Sequence, residues 1–133
     1  MKQDVGFMRM TRSPAPAVLG PLLHQPTLMR VLDILGPGRA AEFLGQFHAD
    51  LDSALQTLRA TAASPEARQR AAHGLIGLAG TVGASDLGDA ARRLHAALQS
   101  GDDPGPTDLA DEVASLTACL MDEVDAWRER SGR

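Results

Sequence analysis

The stretch from Ser64 to Leu87, SPEARQRAAHGLIGLAGTVGASDL, decides how this chain folds. Ser64, Pro65 and Glu66 form a helix start: a hydroxyl to accept from an unpaired backbone N–H, a proline where no donor is needed, and an acid facing the positive end of the helix dipole. At about 100° per residue, Ala71, Leu75, Leu78, Ala79 and Val82 gather on one side and predict a helix with its core face there, running to about Val82. Gly83-Ala84 is then a very short connection, Ser85 can cap the next helix, and Leu87, Ala91, Leu94 and Leu98 form that helix's stripe. So short a link between two long helices makes them antiparallel neighbours.

The same reading extends outward. Leu28, Val31, Leu32 and Leu35 predict a short helix that stops at Gly36-Pro37-Gly38. A long amphipathic helix follows, with Phe43, Phe47, Leu51, Leu55 and Leu58 inward, ending near Ala63. Ser100 to Pro106, rich in Gly, Pro and Asp, is a loop. Thr107 or Asp108 can cap a last helix whose stripe is Leu109, Val113, Leu116, Leu120, Val124 and Trp127. The expected fold is all-α: an antiparallel up-down four-helix bundle over residues 21–131 with a short additional N-terminal helix, preceded by a flexible leader over residues 1–20.

Composition agrees. Aromatic residues are 3% of the 133 and tyrosine is absent, so propensity favours helix over strand. The net charge of -4, with basic residues scattered, speaks against nucleic acid as a partner. No apolar run reaches the roughly 18 to 20 residues of a membrane span, so no membrane partner is expected. The single cysteine, Cys119, excludes an intramolecular disulfide, reads as a small filler on a buried helix face, and makes a reducing, cytoplasmic compartment the simpler expectation.

One helix breaks the rules of its own class. Gly74, Gly77 and Gly80 sit inside it, and an interior glycine costs roughly 0.5 to 1 kcal/mol relative to alanine. His73 points away from the core stripe, Gln69, Arg70, Gly77 and Gly80 share its face, and Ile76 lies at its margin. Helical side chains lean toward the N-terminus, so glycine at 77 and 80 removes the side chains that would crowd the imidazole. The imidazole then stands on bare backbone, open to something large. The other explanation is that the glycines let two helices approach closely, with His73 merely an exposed polar residue.

The segment Ala72-His73-Gly74-Leu75-Ile76-Gly77 through Gly83-Ala84-Ser85-Asp86-Leu87 resembles the signature of histidine phosphotransfer (HPt) domains. Ala72, His73, Leu75, Gly77, Gly83, Ala84 and Leu87 fall in register with that pattern, and the helix order from about Leu28 to Trp127 matches. Two positions depart from it: Ile76 stands where the family usually has lysine, and His95 where the next helix often has an acid. The resemblance implies that His73 is the phosphoacceptor, exchanging a phosphoryl group with a receiver-domain aspartate in a multistep phosphorelay. Gln69, Arg70, Ile76, Gly77 and Gly80 then bind the partner, a response-regulator receiver domain or a hybrid histidine kinase. It further implies a carrier with no ATP site and no cofactor of its own, the magnesium sitting on the receiver.

The residue types suit that chemistry. Imidazole is nucleophilic at cellular pH, and phosphoryl transfer is mostly positioning and charge stabilisation, so one partner can offer an exposed nucleophile while the other brings the metal. Arg70, one turn before His73, is the cation that can replace the missing lysine. The rival is a helical adaptor that keeps the receiver-binding face without carrying phosphate, and Ile76 is its main support.

Other candidates have plainer explanations. His24, His48 and His95 form no i, i+4 metal pair, so no metal site is expected. Asp50, Asp52, Asp102 and Asp103 read as solvated surface and loop. The Gly77, Gly80, Gly83 run lacks both the Gly-Lys-Ser/Thr of a phosphate loop and a preceding strand.

Overall fold

The computed structural model describes residues 21–101 and 107–132. They form five helices and, among the described residues, no strand: α1 (Gln25–Leu35), α2 (Pro37–Arg59), α3 (Pro65–Val82), α4 (Ser85–Gln99) and α5 (Thr107–Ser131). The expected leader lies outside the described residues.

Local chemistry fixes most of the boundaries. Gly36 closes α1 at a positive φ of 84° in an otherwise extended backbone, its N–H bonded to Leu32 O at 3.0 Å, and the next residue already opens α2. Pro37 has the preset φ and the missing donor that a first helical position tolerates, so the expected three-residue break shrinks to one residue. Helix α2 stops at Arg59 instead of near Ala63, and Arg68 secures the corner by donating to Ala60 O at 3.0 Å. Ser64 caps α3 as its sequence predicts, its hydroxyl accepting from Ala67 N at 3.0 Å.

Ser85, in contrast, is the first residue of α4 and not its cap. The cap position falls on Ala84, which makes no side-chain bond. Ala84 N–H bonds back to Ala79 O at 2.8 Å and its methyl is fully buried, which winds the chain tightly enough to re-enter helix at once. Thr107 and Asp108 are likewise both inside α5, so its cap falls outside the described residues.

The four long helices pack in a ring: α2 on α3, α3 on α4, α4 on α5, and α5 back on α2. Helix α1 lies on α2 and α3. Its approach is held by backbone donors: His24 N–H reaches Val82 O, while Leu22 N–H and Leu23 N–H point to the two carboxylate oxygens of Glu123 on α5, at 3.0 and 2.8 Å. The two bonds to Glu123 are charge-assisted, the stronger class of protein hydrogen bond.

The core is mainly leucine, alanine and valine, with Phe47 its largest fully buried side chain. In α2, Leu44 is buried while Phe43 is half-buried and stacks on Phe47, centroids 5.6 Å apart. In α3 the buried face is Ala72, Leu75, Ala79 and Val82, with Ala71 and Leu78 only half-buried. The face is turned toward α4 because that contact is built from small residues. Ala72, Ala79, Gly88, Ala90 and Ala91 are all buried, and a methyl on Gly88 would already touch Ala79. Thr117, the one buried polar residue of the described core, satisfies its hydroxyl on Val113 O at 2.8 Å. Cys119 is exposed, contrary to the expected buried filler, because Val113, Leu116, Thr117 and Leu120 turn inward and place residue 119 on the opposite side of α5.

Gly83 is the most constrained corner. Its φ is +70°, and a Cβ there would lie 2.8 Å from His24 Cβ and 3.1 Å from Thr27 Oγ1. Both the left-handed backbone and the seat of α1 therefore require glycine. Gly83→Ala should lower the unfolding free energy by about 1 to 3 kcal/mol in urea titrations. An unchanged midpoint would show that the corner rebuilds freely around a side chain.

Candidate functional site

Helix α3 has one face in the core and the opposite face in solvent, and the second is where its unusual residues collect. His73 is exposed and lines a shallow groove between α3 and α4 with Glu66, Gln69, Arg70 and Gly74 on one wall and His95 and Gln99 on the other. A second groove runs between α2 and α3. Gly74, Gly77, Leu78 and Thr81 face Asp50, Ser53 and Thr57 across it. Arg70 and Gly74 border both grooves, so they form the crest between them.

The crest is low because it carries no side chains at its glycines. A Cβ built on Gly74, Gly77 or Gly80 meets nothing within 4 Å. No described helix approaches closely enough to need glycine at these positions, so close helix packing does not account for them. Thr81 keeps its hydroxyl folded onto Gly77 O at 3.0 Å, which leaves the crest bare there too.

The residues singled out from sequence fall into three groups. Gln69 and Arg70 share the groove of His73. Gly77 belongs to the neighbouring groove, and Gly80 is exposed beyond both. Ile76 lines neither groove, being half-buried and packed against the core, because its position turns toward α4.

His95 is the residue that sequence reasoning passed over. Its ring lies beside that of His73, centroids 5.7 Å apart and planes tilted by 43°. The signal was present in the numbering: His73 and His95 stand about equally far from Gly83 in sequence, so a tight hairpin of two helices brings them to the same height. Glu66 was recognised as a first-turn acid but not as part of the groove.

The charges around the site are unequally committed. Arg92 pairs with Asp89 at 3.2 Å, and Arg93 joins Glu112 of α5 at 2.9 Å, where the hydrogen-bonded carboxylate holds the guanidinium above its usual pKa. Arg70 has no such partner among the described residues, so its guanidinium is available to a ligand at the groove. The remaining histidines sit elsewhere: His24 contacts Thr27 Oγ1 at 2.6 Å and His48 lies 3.5 Å from Asp125. Among the described residues no three His, Cys, Asp or Glu side chains are grouped to hold a metal ion. None of the described helices is long and apolar enough to cross a membrane.

The family model of the Hpt domain matches residues 41–129, a span that contains His73, the Gly83 corner and His95. The chain belongs to the Hpt domain family. Comparison with curated proteins and with solved structures gives no match. Hpt domains are phosphocarrier modules of phosphorelays that interact with receiver domains and histidine kinases, and are not themselves enzymes. All-helical architecture is in keeping with that family.

Because the crest glycines meet nothing, they lower helix stability without a packing return. Gly77→Ala and Gly80→Ala should each raise the unfolding free energy by roughly 0.5 to 1 kcal/mol in urea titrations. A loss of stability in either variant would point to a structural need for glycine.

Proposed function

We propose that this Hpt domain carries a phosphoryl group on His73, receiving it from or passing it to a receiver aspartate in a multistep phosphorelay. The observation that supports this most directly is the exposed His73 ring on a helix whose Gly74, Gly77 and Gly80 border open space. An in-line displacement needs the nucleophile and the acyl phosphate aligned within a few ångströms, which requires the partner's active site to descend onto the helix. Bulk at Gly77 or Gly80 would hold it off.

In this reading Gln69, Arg70, Gly77 and Gly80 form the receiver-binding face, joined by Gly74, while Ile76 contributes from its margin. The carrier needs no cofactor, since magnesium on the receiver neutralises the phosphoryl oxygens from the other side. Arg70 supplies charge from this side, in place of the lysine that Ile76 replaces. The supporting scaffold is an antiparallel up-down bundle, and the setting is the cytoplasm.

Ile76 favours a second reading, an adaptor that binds receivers without taking phosphate. Its side chain packs on the core and cannot serve the phosphoryl group. The two readings separate on incubation with phosphorylated receiver domains followed by detection of acid-labile phosphate. A carrier takes label; an adaptor binds, takes none, and gains transfer only on Ile76→Lys.

His73→Gln should keep the helical content and thermal unfolding of the wild type and lose all labelling. Label retained by that variant, or mapped to His24, His48 or His95, would overturn the assignment. Arg70→Ala should slow transfer by no more than about fivefold, the range of an exposed charge contact. An unchanged rate would leave charge neutralisation to the receiver alone.

A further inference from the structure

We infer that His95 is the second half of the phosphoryl-binding site: its ring N–H donates to an oxygen of the phosphoryl group on His73 and prolongs the life of the phosphorylated state. This rests on the proposed role of His73 as the phosphoacceptor. The two rings are neighbours at 5.7 Å, tilted by 43°, in one groove. They are close enough for one group to touch both and are not stacked face to face, so ring edges with their nitrogens remain available to a ligand.

The chemistry follows from the attached group. In transfer from a receiver, the lone pair of a His73 ring nitrogen attacks phosphorus. The N–P bond forms while the bond from phosphorus to the aspartyl oxygen breaks, and the carboxylate leaves with that electron pair. The other His73 nitrogen keeps its proton, and the phosphoryl oxygens are left anionic at the groove. Anionic oxygens need donors, and charge-assisted bonds are the strong ones. A lysine on α3 cannot supply one here, since the position is Ile76.

The neighbours of His95 narrow the choice. From α3 the groove holds Glu66, Gln69 and Arg70, and Glu66 can only repel an anion. On α4, Gln99 shares the groove, Arg92 is committed to Asp89, and Arg93 turns to Glu112 of α5. His95 makes no hydrogen bond or ion pair among the described residues and is half-buried beside His73, so its ring nitrogens are not committed elsewhere. Arg70 and His95 thus approach the acceptor from two helices, one donor on each.

The test needs no partner. The whole chain is phosphorylated with phosphoramidate, the small donor is removed, and the decay of acid-labile phosphate is followed in wild type, His95→Leu and His95→Gln. Expected is label on His73 in all three, decay about fivefold faster in His95→Leu, and largely restored lifetime in His95→Gln, which keeps an N–H donor. Matching urea midpoints for the three proteins exclude a merely structural effect, since leucine preserves the volume. Equal decay in wild type and His95→Leu would overturn the role of His95 while leaving His73 as the acceptor. Equally fast decay in the leucine and glutamine variants would also overturn it, because donation would then not be what matters. A wild type that takes no label on His73 would overturn both readings together.

Discussion

At Gly83 the backbone passes through the left-handed region with the Cβ of His24 only 2.8 Å from where a side chain would begin, and the geometry of the site follows from that corner. The link is so short that α3 and α4 leave it side by side, and the small residues Ala72, Ala79, Gly88 and Ala91 let them close to full contact. Val82 O, left without an acceptor role inside its helix, takes the N–H of His24, so the same turn seats α1. A longer or looser link would leave the rotation and height of α4 against α3 undetermined. His95 would then have no fixed relation to His73.

Helix α3 divides its two faces between opposed physical demands. The inner face supplies Leu75, Val82 and two alanines to a dry core, and this burial is what holds the helix in place. The outer face gives up helix propensity at three glycines that touch nothing. A free helix of this composition would be marginal. Packed into the ring of four, it tolerates the loss, and the result is an exposed imidazole with open space around it. Stability comes from the core side, and accessibility is bought on the solvent side.

The electrostatics show the same economy. The chain is acidic overall, with a net charge of -4, yet the groove around His73 brings together an uncommitted arginine and a second imidazole. Nearby arginines are already engaged with carboxylates of their own or neighbouring helices. For the phosphoryl carrier proposed above, moderate and accessible donors suffice. A buried cluster of cations would hold the group too firmly and block the approach of a receiver.

Residues close in sequence were legible from sequence. The cap at Ser64, the stop at Gly36, the corner at Gly83 and the solvent-facing position of His73 each depend on local backbone chemistry or on a 3.6-residue period, and both are written in the order of residues. The family signature around His73 and Gly83 was legible for the same reason. Tertiary structure alone decided the rest. It decided that Ala72 and not Ala71 faces the core, because the close approach of α4 sets the rotation of α3. It decided that Ile76 turns inward, that Cys119 is exposed, and that Gly74, Gly77 and Gly80 border open space where a helix could have lain. The neighbourhood of His73 and His95 belongs to this second group, since periodicity places a side chain on its own helix, and only the packing of two helices says what stands opposite.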